Sequence, residues 1–294
     1  MKKLHGVIPP IATPFVSQEL AIDKLKENIH KLLQTELAGI LALGSNGEAV
    51  MLNEKEKLNV VEAARETVPL NKILLVGAGS ESTKETISFI NKIAEMNAEY
   101  ALVITPSFYK SSMTSEVFYK YYFEVAEHSR IKILLYNVPA NTGVNISADT
   151  VAKLAEHPNI IGMKDSSGNM QQFAEIISST PKDFSFFVGN APTFFTALSL
   201  GACGGILAVA NVISNECIKI QKLFEEGKFG EAKQLQFKII PLAKAVTTKF
   251  GIAGLKFAMG CVGYFGGEAR LPLLPLKEKE MEEIQKLVKG FSIR

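Results

Sequence analysis

Eight short apolar runs, almost unbroken by polar residues, recur along the first three quarters of the chain. They are "GVIPPIATPF" (6–15), "AGILALGS" (38–45), "KILLVGAGS" (72–80), "YALVITPSF" (100–108), "IKILLYNVP" (131–139), "NIIGMKDSS" (159–167), "SFFVGNA" (185–191) and "GGILAVANV" (204–212). A strand with one wet face alternates apolar and polar residues. These runs do not alternate, which is the pattern of parallel strands covered on both faces. An amphipathic stretch follows each run, and the units repeat at roughly 30 residues, the length of a βαβ element. Eight such units in one series predict an α/β protein, a closed (β/α)8 TIM barrel rather than an open doubly wound sheet. No GxGxxG follows the first run, which also weakens a dinucleotide-binding fold. From about residue 229 the strand signals stop, and three helical segments remain, ending in "KEKEMEEIQKLVKGF". The reading is therefore a barrel catalytic domain over 1–228 and a C-terminal helical subdomain over 229–294, packed on the barrel.

Local signals support the helices between the runs. "NEKEKLNVVEAARETV" (53–68) opens on Asn53 with Glu56 three residues on, the spacing of a capping box. "STKETISFINKIAEMNA" (82–98) sets Ile87, Ile90, Ile93 and Ala94 on one helical face. With 32 basic against 30 acidic residues the charge is nearly balanced, and no basic run argues for nucleic acid or a membrane surface. The three cysteines show no CxxC spacing and fit a reducing compartment. Pro9, Pro10 and Pro14 interrupt any signal-peptide core, and no apolar run reaches membrane-spanning length. The expectation is a cytoplasmic protein.

In such a barrel the chemistry sits where the strands end at their C-terminal side. The polar residues there are Thr13, the stretch Gly44-Ser45-Asn46-Gly47-Glu48, Ser80, Thr105 with Ser107, Tyr136-Asn137, Lys164-Asp165, Gly189-Asn190 and Asn211. Lys164 is the one cation among them. A catalytic metal needs a His/Asp/Glu cluster. The four histidines, His5, His30, His128 and His157, fall near the N-terminus or in helical segments, so no metal site and no metal-dependent aldolase is expected. No serine-hydrolase elbow and no P-loop is present. A lysine in an apolar barrel mouth has an evident use. Desolvation disfavours an ammonium, and a free amine attacks a ketone to form an imine, an electron sink. The bland alternative is a solvated rim lysine paired with Asp165. Tyr136 is the leading general acid/base candidate, against the alternative of a core tyrosine. "GSNGE" offers backbone N–H groups and the Ser45 hydroxyl in a tight turn suited to a carboxylate. Lys256, flanked by apolar residues in "GIAGLKFAMG", reads as a structural lysine on a helix.

Taken together, "GSNGE", "YNVP" and "GMKDSSG", in this order on the second, fifth and sixth strands, resemble the dihydrodipicolinate synthase/N-acetylneuraminate lyase family. "ATPF", "VITPSFY" and "GGILAVANV" extend the resemblance over essentially the whole chain. It implies a class I, Schiff-base aldolase acting on pyruvate or another 2-oxo acid with an aldehyde partner, without a cofactor, in a homotetramer built as a dimer of dimers. It implies Lys164 as the imine-forming residue, Tyr136 as proton donor and acceptor, and Ser45 as a relay hydroxyl. Asn46 and its neighbour Gly47 would grip the pyruvyl carboxylate, with Gly189 and the Ile206 carbonyl lining the site.

Within the family, dihydrodipicolinate synthases carry an arginine two residues after YNVP to hold the aldehyde's carboxylate. Asn141 stands there in "YNVPANTG". With "HPNIIGMKDSSG", "AVTTKFGIAGLK" and "GYFGGEARLPL", the segment looks most like 4-hydroxy-2-oxoglutarate aldolases, which release pyruvate and glyoxylate. The alternative is a dihydrodipicolinate synthase condensing pyruvate with aspartate semialdehyde, and a third reading is a non-catalytic 2-oxo-acid-binding protein. The family also places a tyrosine three residues beyond the threonine of the fourth strand, reaching a neighbouring subunit. Phe108 occupies that position and Tyr109 follows it, so the relay Ser45–Tyr136–Tyr109 requires a one-residue shift of the loop.

Overall fold

A computed structural model describes residues 4–291. Its ten strands are β1 (Gly6–Ile8), β2 (Phe15–Val16), β3 (Glu19–Leu20), β4 (Gly39–Ala42), β5 (Ile73–Ala78), β6 (Tyr100–Ile104), β7 (Lys132–Asn137), β8 (Ile160–Asp165), β9 (Ser185–Val188) and β10 (Gly204–Ile206). Eight of them form one sheet in the order β1-β10-β9-β8-β7-β6-β5-β4. The two ends of that order are tied together by Ala38 N–H to Val7 O, Leu41 N–H to Pro9 O and Ile11 N–H to Leu41 O, at 2.9–3.0 Å. The result is a (β/α)8 barrel with a C-terminal helical part, as the spacing of the apolar runs predicts. Each of the eight runs supplies one barrel strand, so the fifth and sixth barrel strands are β7 and β8.

The chain divides into two compact units, one comprising Leu75–Ile206 with the stretch up to His5, the other Gly6–Leu74 with the chain from Leu207. The first unit carries α3 (Thr83–Glu95), α4 (Ser115–His128), α5 (Pro139–Thr142), α6 (Ala148–Leu154), α7 (Met170–Ser179) and α8 (Phe194–Ser199). The second carries α1 (Ile22–Leu32), α2 (Glu54–Thr67), α9 (Ser214–Glu225), α10 (Phe229–Lys244), α11 (Gly251–Cys261) and α12 (Glu278–Lys289).

The first unit is built on parallel pairing of β6, β7, β8 and β9. Ile133, Leu134 and Leu135 of β7 are wholly buried, as are Met163 of β8 and Phe187 and Val188 of β9. Parallel strands are covered on both sides, which is why these segments read as unbroken apolar runs. In the second unit, α2 starts on the expected capping box. The Asn53 side chain accepts from Glu56 N–H and Glu56 accepts from Asn53 N–H, both at 2.9 Å. Such a cap contributes about 1 kcal/mol.

Two features depart from the sequence reading. The "ATPF" segment leads into a hairpin, β2–β3, whose two loop residues Ser17 and Gln18 have φ of 50° and 68°. Positive φ at both positions is the type I′ turn. The eighth run also splits: only Gly204–Ile206 is strand, and Ala208–Asn211 is a 3₁₀ helix.

Candidate active site

The register of the first unit decides which side chains meet at the strand ends. Along β7 and β8, Tyr136 pairs with Lys164 and Asn137 with Asp165. Since side chains alternate across a strand, Tyr136 and Lys164 share one face while Asn137 and Asp165 share the other. Lys164 Nζ lies 4.3 Å from the centre of the Tyr136 ring.

Lys164 is 3% exposed. It has no ion-pair partner among the described residues, so the solvated or salt-bridged rim lysine is not what the fold builds. Asp165, the expected partner in that alternative, is turned to other work. Its Oδ1 accepts from Ser167 N–H at 2.6 Å, and its Oδ2 lies 3.4 Å from Asn137 Nδ2. Burial pushes the Asp165 carboxyl above the usual range, partly offset by these hydrogen bonds.

The stem of Lys164 passes close to Gly189. A Cβ placed on Gly189 would fall 1.9 Å from Ser166 Oγ and 2.8 Å from Lys164 Cε. Backbone bonds lock this corner: Gly189 N–H donates to Asp165 O at 2.6 Å and Ser166 N–H to Asn137 O at 2.9 Å. Gly189→Ala is therefore expected to displace the lysine. If Lys164 is the reacting group, turnover should fall about 10²-fold, the cost of a misplacement of about 1 Å, while circular dichroism stays native. A folded variant with a loss under about threefold would show that Gly189 does not set the lysine's position.

A chain of amides continues outward. Asn137 Nδ2 donates to Asn145 Oδ1 at 2.8 Å, Asn145 Nδ2 to Gln172 Oε1 at 2.7 Å, and Ile146 N–H to Asn137 Oδ1 at 3.2 Å. This ties the end of β7 to the loop before α6 and to α7. The sequence reading has no role for Asn145 or Gln172, since neither sits at a strand end. Asn141 lies within the loop that the chain closes, exposed, on the short α5. The Lys110 ammonium approaches that loop: a Cβ on Gly143 would fall 3.0 Å from Lys110 Nζ. Ile206 ends β10 and is wholly buried. Thr105, just beyond β6, is buried, and its hydroxyl finds no hydrogen-bond partner among the described residues. Phe108 and Tyr109 stand out from this unit, 75% and 69% exposed, with their rings edge to face at 5.1 Å.

The second unit carries the "GSNGE" turn. Ser45–Gly47 is a single 3₁₀ turn after β4, with Ser45 and Asn46 half-buried and Gly47 buried. The Thr13 hydroxyl donates to Gly47 O at 2.7 Å. A Cβ on Gly47 would sit 3.0 Å from Ile11 O, so the segment after β1 passes close to the turn. Glu48 ends the turn with a buried carboxylate 2.5 Å from the Lys256 ammonium. Burial lowers the Lys256 pKa, and Glu48 opposes that shift. Lys256 is on α11, as expected of a structural lysine.

A buried amine without a carboxylate partner among the described residues, beside a phenol on the neighbouring strand of a (β/α)8 barrel, is the equipment of a class I aldolase. Comparison with known proteins agrees. The dihydrodipicolinate synthetase family model matches residues 3–291, and the chain belongs to that family. It is 33% identical over 289 residues to a 4-hydroxy-tetrahydrodipicolinate synthase of Methanocaldococcus jannaschii, covering 98% of this chain and 99% of that one. Identity is also 33% over 292 residues to the enzyme of that name from Archaeoglobus fulgidus, with 98% and 99% covered. Among solved structures, dihydrodipicolinate synthase of Thermotoga maritima superposes with a TM-score of 0.93 at 29% identity, covering 98% of each chain. Dihydrodipicolinate synthase DapA-2 of Bacillus anthracis gives 0.95 at 27%, covering 99% of this chain and 100% of that one. The protein is thus a carbon–carbon lyase of the class I aldolase type. Among the described residues no helix is long and apolar enough to cross a membrane.

Proposed function

We propose that the protein holds pyruvate as an imine on Lys164 and that Tyr136 moves the proton accompanying carbon–carbon bond formation or cleavage. The observation that supports this is the buried Lys164, without an ion-pair partner among the described residues, beside the Tyr136 ring. The amine adds to the C2 ketone, water leaves, and the iminium accepts the electrons of the bond that breaks: the carbon–carbon bond in cleavage, or the C3–H bond in condensation, where the resulting enamine then attacks the aldehyde carbon. The Ser45–Gly47 turn is proposed as the carboxylate grip, since it offers backbone N–H groups and a hydroxyl in a fixed turn.

For the aldehyde half, the names of the relatives support the synthase reaction, condensation of pyruvate with aspartate semialdehyde. Lys110 supports it too: its ammonium beside Gly143 supplies a cation to the loop where Asn141 replaces the expected arginine. A second reading, cleavage of 4-hydroxy-2-oxoglutarate to pyruvate and glyoxylate, is favoured by Asn141 itself, an exposed neutral residue. Assays of purified protein with each substrate separate them. Consumption of aspartate semialdehyde with pyruvate, weakened by Lys110→Ala through KM, is the expected result. Release of pyruvate from 4-hydroxy-2-oxoglutarate with no consumption of aspartate semialdehyde would replace it by the second reading. Binding of pyruvate without turnover of either would leave only a 2-oxo-acid-binding protein.

A further inference from the structure

Two residues flanking the "GSNGE" turn have backbone conformations that L-amino acids rarely adopt. Leu43 opens it with φ 55° and Glu48 closes it with φ 55°. Neither is glycine, so each is held there by its surroundings, and such residues concentrate where a fold needs an unusual geometry. For Glu48 the means of holding it is clear. Its Oε1 is the atom 2.5 Å from Lys256 Nζ, an ion-pair contact outside hydrogen-bond geometry, and its Oε2 accepts from Arg270 N–H at 2.7 Å. Both partners come from the C-terminal helical part of the second unit.

The partners are themselves tightly placed. Lys256 Nζ donates to Glu268 O at 2.6 Å and lies 4.4 Å from the Phe15 ring centre. The Arg270 guanidinium lies 4.3 Å from the same ring centre and donates to both oxygens of Glu56, at 2.6 and 3.0 Å. The connecting backbone can pass only as glycine: a Cβ on Gly266 would fall 1.9 Å from Lys256 O, and one on Gly267 2.6 Å from Phe15 O.

A buried ion pair adds little net stability over apolar residues of the same shape. What this pair does supply is direction: Lys256 holds one oxygen of the Glu48 carboxylate and the Arg270 N–H the other, and together they fix the residue that terminates the turn. We infer that Lys256 and Glu48 are positioning residues, through which the C-terminal helical part holds the Ser45–Gly47 turn in the shape that binds the carboxylate of the 2-oxo acid. The inference rests on the pyruvate reading above. It gives the C-terminal part a task in substrate binding beyond packing.

The test uses the full-length protein with pyruvate as probe. Lys256→Met leaves Glu48 unpaired and is expected to lower the melting temperature. The double variant Lys256→Met/Glu48→Gln removes both charges while keeping an oxygen for Arg270 N–H, and is expected to fold. In the double variant the half-saturating pyruvate concentration should rise by about 10- to 100-fold, the effect of a small misplacement of binding groups. The borohydride-reduced adduct on Lys164 at saturating pyruvate should stay within about threefold of wild type, since Lys164 and Tyr136 are untouched. A folded double variant that saturates at the wild-type pyruvate concentration overturns the inference, because the pair would then be structural only. A wild-type protein that forms no pyruvate adduct overturns the reading beneath it instead.

Discussion

Lys164→Met is expected to lose turnover by a factor on the order of 10⁶, the scale on which removal of a covalent nucleophile is felt. Methionine is the choice because Lys164 is buried, with its Cε close to Gly189. An alanine would leave a cavity and confuse loss of the amine with loss of packing. Methionine fills the stem and removes only the reactive end. Lys164→Arg makes the complementary point, since it keeps a cation beside the Tyr136 ring but cannot form an imine. If Lys164 acted as a charge alone, arginine would retain much of the rate. The expected result is that both variants are equally inactive and that neither gains mass when treated with borohydride and pyruvate. The wild-type protein should carry the reduced adduct on the peptide containing Lys164. The second buried lysine is the control. Lys256 is held by Glu48 and by Glu268 O, and it should stay unmodified in every variant. An adduct that persists in Lys164→Met and maps to Lys256 would move the chemistry to the other unit.

The residues that were legible in the sequence share a physical reason. A parallel strand buried on both faces can be nothing but apolar, so all eight barrel strands announced themselves, and any polar residue at such a strand's end stood out. Lys164 was visible for that reason, and Tyr136 with it. What was hidden falls into two kinds. The first is local geometry that apolar residues do not encode. "GGILAVANV" reads the same whether Ala208–Asn211 continues the strand or winds into a 3₁₀ turn. Ser17-Gln18 carries none of the Asn-Gly or Asp-Gly chemistry by which a type I′ hairpin is usually recognised. The second kind is pairing at long range. Glu48 and Arg270 meet across 222 residues, and nothing near either one names its partner. An acid inside an otherwise neutral turn was the only hint, and a lysine flanked by apolar residues was the other half of it. The amide chain Asn137–Asn145–Gln172 was hidden likewise, because its members serve the backbone around the site rather than the strand ends where chemistry is sought.

Tyr136→Phe is expected to lower turnover by about 10²–10⁴-fold, the contribution of a positioned general acid/base. The substitution is clean because the ring does separate work. Tyr136 is buried at the end of β7, and its ring lies against the Lys164 amine. Phenylalanine preserves that contact and removes the hydroxyl alone. On the proposal that pyruvate is held by the amine and the Ser45–Gly47 turn, KM for pyruvate should move little while kcat falls. Borohydride should still trap pyruvate on Lys164 in the variant, given time, since imine formation needs the amine and proton transfer can pass more slowly through solvent. The split between the two readouts is what identifies the role. A core tyrosine would lose stability on substitution with kcat nearly intact, and a loss below tenfold in a folded variant returns Tyr136 to that status. A variant that loses the adduct as well as the rate would assign the phenol to formation of the imine, ahead of the carbon–carbon step.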